Sequence, residues 1–387
     1  MDQSAVIVEA VRTPLGKKGK GLAAVHPVTL LGAAQQGVIE AAGIDPAEVD
    51  QVVGGCVAQV GEQAFNLTRT AWLAAGLPQS VGASTVDAQC GSSQQAFTFA
   101  TALVSSGLAD VVVACGVESM SRIPIGSNFR KDFDLGRPVT KDYLRRYEFL
   151  NQYQAAERIA SRWGITRDRA DALGASSQER AARAWSEGRF DGQILPVTVP
   201  GTDDAPATVV DRDEGLRETS VEKLASLDAV VPEGIHSAGT ASQVSDGASA
   251  VLVLSERKAR ALGLTPRARV VDTMTVGVDP VTMLTGPHEV TPALLERNKL
   301  TMDDIDLVEI NEAFASIVLS WADEVGADPE RINPNGGAIA LGHPLGATGC
   351  VLLTKAVHEL ARSGGSRALV TMCCGGGLGT GTVLEAP

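Results

Sequence analysis

The residues best suited to chemistry fall into a few short stretches. In Gln89-Cys90-Gly91-Ser92-Ser93 a cysteine stands between Ser84-Thr85-Val86, which reads as a strand, and helical apolar spacing from Ser92 to about Ser106. Free N–H groups at a helix start carry partial positive charge, which favours thiolate over thiol and makes Cys90 a candidate nucleophile of lowered pKa. In Gly342-His343-Pro344-Leu345-Gly346 a histidine occupies a tight turn ahead of a helix over 347–361. In Met372-Cys373-Cys374-Gly375-Gly376-Gly377 a strand runs into glycines whose N–H groups can be aimed into a cavity. With Asn311-Glu312-Ala313-Phe314, the set supplies a thiolate, a base, oxyanion donors and a second acid–base group. Those are the needs of an enzyme that condenses or cleaves thioesters. No Gly-x-Gly-x-x-Gly joins a strand to a helix with an acid about 20 residues on, so a dinucleotide site is not indicated.

Strands alternating with helices must position these groups. From residue 1 to about 117 the pattern gives strands at Val6, Val52, Ser84 and Val111–Cys115, with helices over 30–42, 67–75 and after Cys90. This predicts an α/β protein with a mostly parallel, covered sheet. The last third repeats the plan, with strands at Arg269-Val270-Val271, Asp304–Ile310 and Ala368–Met372, so two homologous halves are expected and His343 answers Cys90 by position. The halves are residues 1–117 with 245–265, and 266–387. Residues 118–244 break the alternation and read as an inserted domain that binds substrate. It opens with an irregular stretch over 123–138, continues in charged helices over 153–163 and 167–187, and carries a polar loop over 200–213.

Composition bounds the function. A chain of 387 residues allows two or three domains with real cores, and 44% hydrophobic residues with 41 glycines fit a soluble α/β enzyme. The first residues run straight into Ala5-Val6-Ile7-Val8, and no apolar run reaches the ~20 residues of a membrane span, so a cytoplasmic protein without a membrane partner is expected. A net charge of −13 argues against nucleic acid and means that a polyanionic ligand needs a local basic pocket. Arg130, Lys131, Arg145, Arg146 and Arg217 are the candidates. Six cysteines without Cys-x-x-Cys or a histidine cluster read as reduced thiols and not as a metal site. Cys56, Cys115 and Cys350 read as core, and Cys374 should point away from Cys373 by strand alternation. His26, His236, His288 and His358 have no motif around them and read as surface or loop residues.

Asp87-Ala88-Gln89-Cys90-Gly91-Ser92, Asn311-Glu312-Ala313-Phe314, Gly342-His343-Pro344 and Cys373-Cys374-Gly375-Gly376-Gly377, in that order, resemble the thiolase family over essentially the whole chain. The resemblance implies a five-layered αβαβα fold of two similar halves with an inserted loop domain, assembled as a homodimer or homotetramer. It implies ping-pong thiolysis of 3-ketoacyl-CoA to acetyl-CoA (or propionyl-CoA) and a shortened acyl-CoA, with coenzyme A as co-substrate and no other cofactor. Cys90 would carry the acyl group and His343 would activate it. Cys373 would protonate the departing enolate, a water held by the Asn311 amide would form one oxyanion site with His343, and the N–H groups of Cys90 and Gly375 the other. Arg217, Ala238 and Ser242 would meet coenzyme A, with Phe314 at the substrate. Where short-chain members carry His-Met-Gly ahead of the Ala156-Glu157 helix, this chain has Asn151-Gln152-Tyr153-Gln154. That is similar to actinobacterial thiolases acting on bulky or steroid-derived substrates, in fatty-acid or steroid side-chain β-oxidation. The rivals are a biosynthetic acetoacetyl-CoA thiolase, a ketoacyl synthase, whose second base is usually a histidine, and a thiolase-like lipid carrier.

Overall fold

The segments read as strands and helices are built as such in the computed structural model, which describes residues 4–129, 136, 138–201 and 206–387. Arg130 and Lys131 lie outside the described residues. The first half runs β1 (Ala5–Arg12), β2 (Gly16–Lys17), α1 (Pro27–Ala42), β3 (Gln51–Gly55), α2 (Leu67–Ala74), β4 (Gly82–Val86), α3 (Ser92–Ser105) and β5 (Val111–Ser119). A long excursion carries α4 (Lys141–Arg146), α5 (Gln152–Trp163), α6 (Arg167–Ser186), β6 (Val197–Val199), β7 (Thr208–Val210) and α7 (Val221–Ala225). The chain returns through β8 (Ser245–Ser255) and α8 (Glu256–Ala261). The last third holds β9 (Ala268–Gly277), α9 (Gly286–Arg297), β10 (Leu307–Ile310), α10 (Ala315–Val325), α11 (Thr348–Ser363), β11 (Arg367–Cys374) and β12 (Leu378–Glu385).

The strands lie in the order β4-β3-β5-β8-β1-β9-β12-β11-β10. The sheet passes from one half to the other where β1 meets β9, through Val6–Arg269 and Ile7–Ala268. The sheet is mixed, which corrects the expectation of a mostly parallel one. β3 is parallel to β4 and β5, and β10 to β11, while β8 is antiparallel to β1 and β5, and β12 to β9 and β11. β12 returns from β11 through the glycine turn 375–377, which is too short for a parallel crossover, and β8 re-enters from the excursion and not from a crossover helix.

Three apolar cores define the layers. Leu30, Val38, Val52, Trp72 and Leu252 seal α1 and α2 on one outer face. Phe97, Val112, Val253, Leu353 and Met372 fill the centre around α3 and α11, and Leu294, Ile310, Trp321 and Leu369 bind α9 and α10 to the far face. The result is five layers: helix, sheet, helix, sheet, helix. Because α11 is sandwiched between sheets it is buried nearly all round, from Thr348 to Val357. Gly349 lets it lie against α3, since a Cβ there would sit 2.3 Å from Gln94 N. Ser93 Oγ accepts the Cys350 N–H at 3.0 Å, so a residue of one half satisfies a free helix-start donor of the other.

Two further expectations change. The segment over 200–213 contains β7, which forms an antiparallel hairpin with β6, although 202–205 lie outside the described residues. His236 and His288 are buried and not at the surface, because each ring has a polar partner inside: Glu157 Oε1 at 2.9 Å from His236 Nδ1, and Ser320 Oγ at 2.9 Å from His288 Nε2. His358 lies half-buried on α11, its Nε2 3.0 Å from Ala10 O, and His26 is an exposed cap of α1. Arg145 and Arg146 are exposed on α4.

Candidate active site

Cys90 sits on a turn bent to present it. Asp87 accepts the Gln89 N–H at 2.7 Å, and Ser92 Oγ accepts the Ala88 N–H at 3.0 Å while donating to Gln89 O at 2.6 Å. These bonds hold Gln89 at φ +53, a left-handed conformation that is unfavourable for a non-glycine residue. The following cysteine is 4% exposed, and the nearby Gly375 N–H favours its thiolate. Burial pushes the Cys90 thiol up to about 11, outweighing that N–H. This corrects the expectation of a thiol lowered by the helix start: at neutral pH the resting group is a thiol.

The ring of His343 is fixed in one tautomer. Thr348 Oγ1 donates to Pro344 O at 2.8 Å, so at 2.6 Å from His343 Nδ1 it must accept, which assigns the ring proton to Nδ1. Nε2 is thereby left as the acceptor, and the Asn311 Nδ2 amide donates to it at 3.3 Å. Burial lowers His343 to about 4, keeping the imidazole neutral. The backbone is fixed too: the His343 N–H reaches Gln243 O and Ser245 Oγ, each at 3.1 Å, and the preceding Gly342 has φ +122, a conformation open to glycine.

Asn311 follows the end of β10 and donates its N–H to Thr371 O at 3.1 Å, beside the strand that carries Cys373. Its Oδ1 is buried without a partner. Cys373 is fully buried, and burial, with the nearby Cys90 sulfur, holds it as a thiol. It faces a cluster of Leu150, Met283, Leu284 and Phe314, whereas Cys374 belongs to the central core, as strand alternation requires. Phe314 packs edge-on against Tyr153 at 4.9 Å between ring centres and His236 at 5.4 Å. The structure therefore joins Cys90 to Gly375 and Cys373, and His343 to Asn311, at neighbouring strand and helix ends.

The residues expected at coenzyme A lie on one connected rim. Ser242 donates its N–H to Ala313 O at 3.0 Å, and Ala315 donates to Thr240 O at 2.9 Å, laying the 237–242 segment against Phe314. Arg217 is half-buried, with Nη2 3.4 Å from Ala238 O, and among the described residues it pairs with no carboxylate. Burial pulls its pKa down, so an anion beside it would be favoured.

Sequence reasoning missed three residues. Thr348 orients the imidazole; its signal was its place in the first helical turn five residues after His343. Gln243 lies between Ser242 and the His343 turn. Glu118 is a buried carboxylate that accepts N–H groups from Val57 at 3.0 Å, Ala58 at 3.1 Å and Gly346 at 2.9 Å, and the Gln63 amide at 2.7 Å. It ties the turn after His343 to the first half, and no sequence signal separates it from other acids.

Residues 5–257 match the model of the thiolase N-terminal domain, and residues 264–386 that of the thiolase C-terminal domain. A steroid 3-ketoacyl-CoA thiolase of Mycobacterium tuberculosis is 48% identical, over 98% of this chain and 94% of its own length. A beta-ketoadipyl-CoA thiolase of Acinetobacter baylyi is 40% identical over 98% of this chain and 99% of its own. The crystal structure of an acetyl-CoA acetyltransferase from Bacillus anthracis superimposes with a TM-score of 0.93 at 36% identity, covering 100% of this chain and 99% of that one. With both domain models matched in order across nearly its whole length, the chain belongs to the thiolase family.

Proposed function

We propose that this thiolase cleaves 3-ketoacyl-CoA with coenzyme A through an acyl thioester on Cys90. As the substrate binds, the Cys90 thiol gives its proton to His343 Nε2 and the sulfur bonds to the C3 carbonyl carbon. The C3 oxyanion is held by the Asn311–His343 pair or by the N–H groups of Cys90 and Gly375. The C2–C3 bond then breaks, its electron pair passes to C2, and the Cys373 thiol protonates that carbon to give acetyl-CoA. Incoming coenzyme A yields its thiol proton to the Cys373 thiolate and attacks the thioester. Cys90 leaves as thiolate and recovers its proton from His343, so both half-reactions balance without a cofactor or metal.

The observation that carries this reading is the proton arrangement: a buried Cys90 thiol whose thiolate the Gly375 N–H favours, and a neutral imidazole whose Nε2 is the basic, accepting nitrogen because Thr348 holds Nδ1–H. Intact-mass measurement after mixing with 3-ketoacyl-CoA, without free coenzyme A, tests it. One acyl group per chain, lost in C90S, is expected; no adduct would remove the nucleophile assignment and favour a lipid carrier.

For substrate, the reading is a bulky acyl group. Support comes from the relative that acts on steroid 3-ketoacyl-CoA and from the Leu150, Tyr153, Met283 and Phe314 wall beside Cys373. A clear kcat/KM preference for acetoacetyl-CoA over a bulky 3-keto thioester would reject it and favour the biosynthetic alternative. We read the assembly as a homodimer or homotetramer and the location as cytoplasmic. Among the described residues no helix is long and apolar enough to cross a membrane.

A further inference from the structure

Two side-chain amides stitch the turn that carries His343 to the segments assigned to coenzyme A, and one of them touches every part. Gln243 directly follows Ser242. Its Nε2 lies 2.8 Å from Gly215 O, 2.8 Å from Ile339 O and 3.1 Å from Ala340 O. Three carbonyl oxygens facing one atom require the amide nitrogen there and repel one another if the donor is removed. The backbone carbonyl of the same residue accepts the His343 N–H at 3.1 Å and the Ser245 hydroxyl at 2.9 Å. Gln178 on α6 repeats the link: its Oε1 accepts the Arg217 N–H at 2.8 Å and its Nε2 donates to Ile339 O at 3.2 Å.

The Arg217 segment is itself anchored from below. Arg12 and Asp213 form a two-pronged pair at 2.7 and 2.9 Å, with neither side chain exposed. A Cβ on Gly215 would lie 2.5 Å from Ala340 O, so that segment lies in direct contact with the turn that leads to His343. Gln178 thus links two of these segments, and Gln243 joins all three: the anchored Gly215–Arg217 segment, the Ser242 segment and the Ile339–His343 turn.

We propose that Gln243 is a positioning residue that couples the seat of coenzyme A to the alignment of the catalytic imidazole. It holds both loops in one frame, so that loss of its amide disturbs proton transfer at His343 and binding of coenzyme A together. This rests on the roles given above to His343 and Arg217.

The test separates the half-reactions in purified full-length protein. The rate of Cys90 acylation per active site is read by rapid mixing with 3-ketoacyl-CoA in the absence of coenzyme A. The KM for coenzyme A is read in the complete reaction. In Q243A, acylation slows about tenfold or more and the KM for coenzyme A rises about tenfold, while Cys90 is still labelled stoichiometrically. Q243E sets a carboxylate against three carbonyls and works only when protonated, so its activity climbs as pH falls from 8 to 6, a trend absent from Q243A. If Q243A does not fold, Q243N, whose amide stops one methylene short, carries the same comparison. Rates and KM within twofold of wild type would overturn the proposal. So would a change in only one of the two parameters, or a loss confined to the fraction of labelled sites. H343A and R217A run alongside: wild-type behaviour in either would bring down the underlying roles, a result distinct from a silent Q243A.

Discussion

At the scale of residues, the site stores its proton on sulfur and not on nitrogen. Cys90 is raised to about 11 and His343 lowered to about 4, both by burial, so neutral thiol and neutral imidazole coexist across the physiological range. Protonating Nε2 removes the base, and this needs a lower pH than the 6.5 of free imidazole. The acid limb of the acylation rate should therefore fall below pH 6, with no rise between pH 7 and 9 of the kind a free thiol titrating near 8.5 would give. Stopped-flow acylation from pH 4.5 to 9.5 checks both limbs. Thr348 sets which nitrogen carries the proton, so T348V should lower kcat on the order of 10–100-fold with a smaller change in KM. T348S keeps the hydroxyl and should restore most of the rate. The two candidate cysteines and the candidate histidine stood out in the sequence because each lies beside a glycine- or proline-marked turn. The direction of the Cys90 shift was not, because it depends on how much protein covers the sulfur.

At the scale of elements, the glycine turns set how closely one piece of backbone meets another. A Cβ on Gly91 would lie 2.6 Å from Cys374 Sγ and 2.9 Å from Thr380 Cγ2, so the start of α3 rests directly on β11 and β12. G91A should cost about 1–3 kcal/mol of stability through overpacking and should displace Cys90, lowering activity more than stability. C374A in the same chain removes the obstructing sulfur and should recover part of both, measured as Tm and kcat. The two long helices of the excursion, α5 and α6, were readable, whereas the one- to two-turn helices α4 and α7 were not. The β6–β7 hairpin was not, since strands of three residues are too short for alternation to register within a polar loop. Strand direction also escaped, because periodicity reports which residues are buried and not which neighbour a strand takes.

At the scale of the whole molecule, α3 and α11 form one layer shared by both halves, so neither half has a complete core alone. A single unfolding transition is expected, and two resolved transitions in calorimetry would show the halves to be independent. Lys355 on α11 spans the second half, its Nζ 2.6 Å from both Glu309 Oε2 and Gly336 O, with both side chains essentially unexposed. K355M leaves Glu309 buried without its partner and should destabilise by roughly 3–5 kcal/mol, whereas K355M with E309L should lose much less. The buried His288 and His343, each pushed down to about 4, bind protons more readily when unfolded. Their contribution to stability is full above about pH 6.5 and drains away as pH falls towards 4, which thermal melts across that range would show. The amino-acid sequence by itself determined the two-fold repeat, the reactive residue types and the turns that present them, because those follow from local periodicity and from what glycine and proline permit. Only the tertiary structure decided which nitrogen of His343 carries the proton, how deeply the Cys90 sulfur is covered and which amides bind the loops together. Those are set by burial and by hydrogen-bond partners whose pairing no local pattern announces, from Thr348 in the next turn to the Gly215, Ile339 and Ala340 carbonyls met by Gln243.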